Sequence, residues 1–199
     1  MEKLIALFAF LLTALPLTAS AEPGNITNFK THGQWSSFRL CGADKCVWRA
    51  STISGMYSLA IDYYDDLTYG VSVFVANIPQ ENLNTWASDT DFIEIDLRVD
   101  KRTLYNLGVS RQLERSSRTL FYNFSAKELG YKFIEELEKG YTLRMRSHVN
   151  GETFINSFSL KGASAAINRA SVNSANQNTK DRKSYSEEDE YFNDSTTSI

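Results

Sequence analysis

An Asn-Gly dipeptide at residues 150–151 constrains the fold of this chain more than any other feature. Both positions of the tightest hairpin turn need positive φ angles, and Asn-Gly adopts them readily. Apolar and polar residues alternate on both sides of it, over 141–149 and 152–160, which indicates two half-buried strands. Counting outward from the turn pairs Leu143 with Phe158 and places most apolar side chains on one face of the hairpin.

An amphipathic helix is predicted just before this hairpin. Ser125 and Glu128 have the spacing of a capping box, in which each side chain bonds a free backbone N–H. Gly140 stands where a left-handed glycine closes a helix. Between them apolar residues recur along one face: Leu129, Phe133, Ile134 and Leu137. The alanine-rich stretch 162–170 predicts a second, short helix that ends the folded part.

A second hairpin is predicted upstream, where a two-residue turn at 54–55 separates two alternating runs. Its apolar face is core, and Arg49 and Asp62 fall on the opposite, solvated face. The predicted pairs are Trp48 with Ile61, Ala50 with Leu59 and Thr52 with Tyr57.

Four more stretches are strand candidates: 69–75, 93–99, 103–107 and 120–124. An acidic group overlaps the second of these stretches and consists of Asp89, Asp91, Glu94 and Asp96. Because it alternates with Ile93 and Ile95, it indicates an ordinary solvated face. The predicted class is therefore α+β and β-rich. We expect an antiparallel sandwich or barrel-like sheet of about seven to nine strands, with two helices in the C-terminal third.

The first 21 residues have the three parts of a secretory signal peptide. Lys3 supplies the positive charge, 4–15 is an apolar run, and Ala19-Ser20-Ala21 is a cleavage site. The apolar run is too short for a comfortable membrane span. The sequence thus predicts residues 1–21 as a leader and 22–170 as a single β-rich domain, exported and without a membrane span after cleavage.

The charge distribution separates a neutral body from an acidic tail. Of the 21 basic and 24 acidic residues, one of each lies in 1–21, and three basic and six acidic residues lie in 171–199. The remaining 17 of each sign balance over 22–170, which argues against a nucleic-acid partner. Because 171–199 is rich in Ser, Asn, Thr, Asp and Glu, we expect a disordered acidic tail.

The chain has two cysteines, Cys41 and Cys46, around four turn-forming residues. In an exported protein this spacing favours a disulfide across a hairpin loop. Redox exchange and metal binding are the alternatives, but redox motifs usually have two intervening residues. A zinc site needs more ligands than two thiolates.

Two groups of side chains are candidates for binding. Tyr63, Tyr64, Asp65 and Asp66 place aromatic rings beside carboxylates, an arrangement that could bind a sugar face or a cation, although a strand end with a polar turn has the same composition. Arg144, Arg146 and His148 share the outer face of one strand. Together with Arg111, Arg115 and Arg118 they could form a basic patch for an acidic partner or anionic lipid, or simply protect a sheet edge.

No sequence motif of catalysis or of nucleotide binding is present, and the only histidines are His32 and His148. The sequence therefore predicts no catalytic residue, no cofactor and no bound metal.

Three pieces of the C-terminal third are similar to a known family. They are FIEELEKG at 133–140, the hairpin around 150–151, and FSLKGASAAI at 158–167. These pieces resemble invasion-associated locus B proteins, and a periplasmic accessory protein of type VI secretion has a comparable ending. The early Trp35, Cys41 and Cys46 arrangement is loosely similar, whereas 111–120 lacks the second cysteine pair expected there. The resemblance implies a β-rich sandwich with helical additions, in an exported bacterial envelope protein without known catalysis.

The function predicted from these observations is that of an envelope protein, periplasmic or secreted, that binds another protein or an envelope component without catalysis. The resemblance adds a link to host contact or secretion. The alternative is an envelope hydrolase or carbohydrate-binding module that uses the loop from Tyr63 to Asp66.

Overall fold

The computed structural model of the chain describes residues 25–42, 45–66, 68–83, 92–149 and 152–177. The predicted leader 1–21 and the turn at 150–151 lie outside these ranges. The strands are β1 Asn25–His32, β2 Trp35–Cys41, β3 Cys46–Ser54, β4 Tyr57–Tyr63, β5 Tyr69–Val75, β6 Phe92–Val99, β7 Leu104–Glu114, β8 Thr119–Phe124, β9 Thr142–Val149 and β10 Glu152–Ser159. The helices are α1 Ala126–Lys139 and α2, residues 163–177, with a short 3-10 turn at Gln80–Asn82.

Within the described ranges all ten strands join one antiparallel sheet, in the order β1-β2-β3-β4-β5-β8-β7-β6-β9-β10. The predicted α+β, β-rich class with two C-terminal helices is confirmed. The strand count exceeds the predicted seven to nine because 25–32 forms a further strand, which pairs with β2. The sheet is single rather than a two-sheet sandwich, and among the described residues no pairing of β1 with β10 closes it into a barrel.

Strand alternation gives the sheet an inner face, which packs against both helices, and an outer face. The inner face and the helices share one hydrophobic core. Its most buried side chains include Trp35, Leu59, Ile61, Val73, Ile95, Leu97, Leu120, Phe133, Leu137, Leu143, Phe158 and Ile167.

The two ends of the sheet meet at one corner without strand pairing. The Trp35 indole Nε1 donates to the Ser159 carbonyl at 2.8 Å, and the backbone N–H of Gln34 donates to the Lys161 carbonyl at 3.0 Å. Gly162 lies against the His32 carbonyl with no room for a side chain. This corner therefore holds the start of α2 against the β1–β2 turn.

Helix α1 begins and ends where predicted, but its caps differ from the prediction. Ser125 is the N-cap residue, yet its side chain makes no capping hydrogen bond. Gly130, not Gly140, takes the left-handed conformation, and at φ 63° it interrupts the helix. Gly140 is extended, and a Cβ there would overlap Val99. Close packing, rather than backbone conformation, explains glycine at this position.

Helix α2 continues to residue 177, seven residues past the predicted end of the folded part. The extension is held by tertiary contacts that the composition of 171–199 does not reveal. The buried Ser174 hydroxyl donates to the Tyr64 carbonyl at 2.9 Å. On the preceding turn, Arg169 lies 5.3 Å from the Trp48 ring. The predicted disordered tail is thus helical over 171–177, and the residues after 177 lie outside those described.

The β9–β10 hairpin has the predicted register, with Leu143 opposite Phe158 and Met145 opposite Asn156. The β3–β4 register was predicted wrongly by two residues, since the turn is Gly55-Met56 and not 54–55. Gly55 supplies the positive φ of 60° that such a turn needs. A shift of two preserves the faces of both strands. The observed pairs are Trp48 with Tyr63, Ala50 with Ile61 and Thr52 with Leu59.

The predicted disulfide between Cys41 and Cys46 is confirmed: the sulfur atoms lie 2.09 Å apart, and the two residues face each other as the last pair of β2 and β3. Because the bond closes only a short loop, we expect a Cys41→Ser, Cys46→Ser double variant to fold and to lose about 2 kcal/mol of unfolding free energy. Urea unfolding of both proteins would measure this loss. Two reactive thiols in the native, unreduced wild type would contradict the bond.

Candidate functional site

The candidate site is the outer face of the four strands β7, β6, β9 and β10. As alternation predicted, Arg144, Arg146 and His148 all project from this face of β9 and are exposed. Arg98 of β6 lies directly opposite Arg144, and Leu104 of β7 lies directly opposite Arg98. We call these three aligned residues, Leu104, Arg98 and Arg144, the arginine row.

Backbone carbonyls hold the two arginines of the row. Arg98 donates to the carbonyls of Lys101 and Arg102, each at 3.1 Å, and Arg144 donates to the Asp100 carbonyl at 3.3 Å. No carboxylate among the described residues forms an ion pair with either of them. Carbonyl oxygens position a guanidinium without cancelling its charge, so the row presents two fixed positive charges.

In the neighbouring row of the sheet, which consists of Asn106, Asp96 and Arg146, the positive charge is neutralised. The Arg146 guanidinium ion-pairs with Asp96, and the Asn106 amide donates to the same carboxylate at 2.8 Å. The prediction of a solvated Asp96 is therefore wrong, because side chains from both adjacent strands cover it. The hydrogen bond from Asn106, followed by that from Arg146, lowers the pKa of Asp96 below its ordinary value. Glu94, on the same face, is exposed as predicted.

The depressed pKa of Asp96 predicts a pH-dependent stability. A carboxyl group whose folded pKa lies below its unfolded value of about 3.9 stabilises the fold above that pH and loses this contribution as the pH falls through the folded pKa. We therefore expect Asp96→Asn to destabilise the protein at pH 7, by an amount that shrinks on acidification below about pH 4. Urea unfolding at several pH values would show this, with the exposed Glu94→Gln as control. A constant difference at every pH would contradict it.

The other predicted basic residues do not join this face. Arg111 is buried on the inner face of β7. Arg115 and Arg118 are exposed in the turn after β7, about ten residues or roughly 33 Å along the strand from the arginine row. The six-residue basic patch considered from the sequence is therefore not assembled.

Large apolar side chains are exposed on the same outer face. Phe92 of β6, Leu104 of β7 and Ile155 of β10 are 67%, 53% and 69% exposed. The sequence pattern did not indicate these three, because each occupies one of the alternate strand positions that face solvent. Leu104 stands next to Arg98, so an apolar contact and a fixed charge are adjacent.

The structure separates the predicted Tyr63–Asp66 group. Tyr63 points to the inner face, whereas the Tyr64 ring lies over Gly70 on the outer face. The Asp66 carboxylate accepts hydrogen bonds from the Thr68 hydroxyl at 2.5 Å and from its amide at 3.0 Å, which closes a local turn and lowers the pKa of Asp66. Asp65 is exposed beside it. The turn interpretation of the two aspartates describes this loop best.

Tyr63 belongs to a different cluster, which the sequence did not indicate. Its ring centroid lies 6.3 Å from that of Tyr69, and Tyr69 lies 5.6 Å from Tyr131 of α1. Tyr131 is 71% exposed. Burial, and then the Glu138 carboxylate, raises the pKa of Tyr63, and burial raises the pKa of Glu138. Only the packing of α1 beside β4 and β5 brings these residues together.

A largely buried ion pair on the outer face was also missed. Arg49 donates to both oxygens of Asp62, at 2.6 and 2.7 Å, although both had been placed on a solvated face. The guanidinium also lies 5.4 Å from the Phe74 ring centre, and Ala60, between them in the sheet, is fully buried. Opposite charges on adjacent strands of a predicted hairpin were the available signal. The two-residue register error concealed their direct pairing.

The two histidines are far apart in the sheet, on β1 and β9. His32 Nε2 contacts the Ser37 hydroxyl at 2.8 Å, and His148 Nδ1 contacts the Thr153 hydroxyl at 3.0 Å. In the described part of the chain, no three His, Cys, Asp or Glu side chains are grouped to hold a metal ion. None of the described helices has the length and hydrophobicity needed to span a bilayer.

Comparison with known proteins adds no relative: no family model, curated protein or solved structure matches this chain.

Proposed function

We propose that the protein is a non-catalytic interaction protein of the cell envelope, which binds an acidic segment of another protein at the arginine row. The observation that carries this proposal is the direct opposition of Arg98 and Arg144 on neighbouring strands. Like charges directly opposite in a sheet destabilise it. A binding function would account for two positive charges that are held in place without a carboxylate partner among the described residues.

The adjacent apolar side chain supports a protein partner. Leu104 continues the row on β7 and is half exposed. A fixed guanidinium next to an exposed aliphatic group suits a peptide that has a carboxylate beside an apolar residue. The partner would then obtain charge-assisted hydrogen bonds and apolar burial from the same row.

In vivo photo-crosslinking tests this proposal. A photo-reactive residue at Leu104 should give a discrete adduct with another protein, and one at the exposed Lys127 should not. Arg144→Glu should remove the adduct while leaving the unfolding free energy unchanged or raising it by about 0.5 kcal/mol, because the introduced carboxylate would face Arg98. An adduct at Leu104 that survives Arg144→Glu would contradict binding at the arginine row.

Export is a second part of the proposal. We infer that residues 1–21 direct the chain out of the cytoplasm and are removed after Ala21, as their composition suggests. A disulfide between Cys41 and Cys46 is compatible with an oxidising compartment. Mass measurement on protein recovered from the producing cell should find Glu22 as the first residue. A soluble product that retains Met1 would contradict export.

A carbohydrate-binding function at the tyrosine cluster is a second candidate. The exposed Tyr131 ring beside Tyr69, with the Glu138 carboxylate near Tyr63, offers the aromatic surface and polar group that sugars need. Titration with envelope oligosaccharides should then show binding that Tyr131→Ala abolishes and Arg144→Glu retains. The opposite pattern would favour the arginine row.

A further inference from the structure

The positive charge of the arginine row continues into the turn that joins β6 to β7. Lys101 and Arg102 of this turn are exposed, and the Arg102 guanidinium donates to the Lys139 carbonyl at 2.9 Å. No carboxylate among the described residues forms an ion pair with Lys101 or Arg102. The Asp100 carboxylate accepts bonds from two backbone N–H groups at the start of β9, each at 3.0 Å. Together with the two arginines of the row, the turn therefore gives four positive charges.

Two exposed apolar side chains lie beside these charges. Leu104 belongs to the row, and Tyr141, just before β9, is 82% exposed. The backbone N–H of Tyr141 donates to Asp100, which holds this residue against the turn. Carboxylates form charge-assisted hydrogen bonds with guanidinium groups, and aromatic rings pack on the same groups. A ligand that suits the whole surface therefore combines several carboxylates with aromatic side chains.

The C-terminal residues of this chain have that composition. The chain continues for 22 residues after Gln177, and residues 187–194 read EEDEYFND. Four consecutive carboxylates are thus followed directly by Tyr191 and Phe192. We call residues 187–194 the acidic segment. Its charge is complementary to the four positive charges, and its two aromatic rings suit the apolar neighbours of the row.

Helix α2 ends within reach of the arginine row. The Trp48 indole donates to the Gln177 side chain at 3.4 Å, and Trp48 pairs with Tyr63 at the end of β4. Arg98 is at the same end of the sheet, four strand spacings from β4 and about three residues further along, which is roughly 22 Å in a flat sheet. Glu187 is ten residues after Gln177, and ten residues can span up to about 33 Å. The acidic segment is therefore long enough to reach the row.

We propose that the acidic segment docks on the arginine row and the adjoining turn of the same chain, and there competes with the acidic partner. The competition rests on the proposed function, because it requires that the row binds another protein. A segment tethered this close has an effective concentration on the order of millimolar. Docking would therefore exclude weakly binding proteins from the row and admit those that bind more tightly than the acidic segment.

Photo-crosslinking of the purified chain, with no other protein present, tests the docking. A photo-reactive residue at Leu104 should form an adduct with the acidic segment of the same molecule, located by proteolysis and mass measurement. The control position is Gln112, which is exposed on the same face of β7 about 26 Å along the strand and should give no such adduct. In a mixture of isotopically labelled and unlabelled protein, adducts that join two molecules would overturn docking within one chain.

Substitutions in the tail test whether charge drives the docking. The neutral-tail variant carries Glu187→Gln, Glu188→Gln, Asp189→Asn and Glu190→Gln. It should lower the yield of the intramolecular adduct at least about fivefold, because it removes every carboxylate of the run. Asp181→Asn is the control, since Asp181 is four residues after Gln177 and can reach only about 14 Å. This control should leave the yield unchanged, and an equal loss in both variants would contradict docking at the row.

The same photo-reactive residue in the producing cell separates this inference from the proposed function. The neutral-tail variant should raise the yield of the Leu104 adduct with another protein at least about threefold, because the competing segment is weakened. A partner adduct that the variant leaves unchanged, with no intramolecular adduct in the purified protein, would overturn this inference and leave the proposed function intact. An intramolecular adduct without any partner adduct, even in the neutral-tail variant, would instead overturn the proposed function and the competition with it.

Discussion

Replacing Gly162 by alanine is expected to lower the free energy of unfolding by about 2–4 kcal/mol. A positive φ, here 98°, costs an alanine about 1 kcal/mol, and forcing a methyl group into filled space costs about 1–3 kcal/mol more. The added Cβ would overlap the His32 carbonyl oxygen, which is backbone and cannot rotate away. The β1–β2 turn and the start of α2 must therefore separate. Thermal unfolding should show a fall of roughly 10 °C.

Gly55→Ala is the matched control for this prediction. Gly55 also has a positive φ, of 60°, but no atom lies within 4 Å of a Cβ built there. Gly55→Ala should therefore lower the free energy of unfolding by only about 1 kcal/mol, which is the cost of the backbone conformation alone. Equal losses for the two variants would mean that the corner between α2 and the β1–β2 turn is soft enough to admit a side chain.

The second large effect is expected from Arg49→Met, which should lower the free energy of unfolding by about 3 kcal/mol. Removing one partner of a buried ion pair leaves the other charge uncompensated, which typically costs about 3–5 kcal/mol. Asp62 is about nine-tenths buried and retains slight solvent access, so the low end of that range applies. The comparison is Lys139→Met, which breaks the exposed Lys139–Glu135 pair of α1 and should cost less than about 0.5 kcal/mol.

A second substitution distinguishes the lost charge from lost packing. The Arg49→Met, Asp62→Leu double variant removes both charges and should recover most of the stability, because apolar replacements of a buried pair are often neutral. Urea unfolding of the two single variants and the double variant gives the coupling energy directly. If the double variant is no more stable than Arg49→Met, the packing of the guanidinium on Phe74 outweighs the pair.

Predictions about the site succeeded where they depended on one strand and failed where they depended on several. Alternation alone placed Arg144, Arg146 and His148 on a common face. It could not show that Arg98 faces Arg144, because β6 and β9 are neighbours that are distant in sequence. The same limit applies to Asp96, whose covering residues come from two other strands.

Local structure could be predicted from short stretches of the chain. The β9–β10 register, the disulfide between Cys41 and Cys46 and the faces of the strands follow from turn chemistry and periodicity over a few residues. These features need no distant partner, so short stretches of sequence specify them.

The sheet order, in which β5 pairs with β8 and β6 with β9, could not be predicted in this way because it depends on packing between distant parts of the chain. The same packing explains why Gly140 is a glycine and why α2 continues to residue 177. Each depends on which residues distant in sequence become neighbours once the core is packed. A polar residue at an outward-facing strand position does not indicate which residues will surround it. Asp96 would therefore be predicted as exposed whether water or an arginine covers its carboxylate.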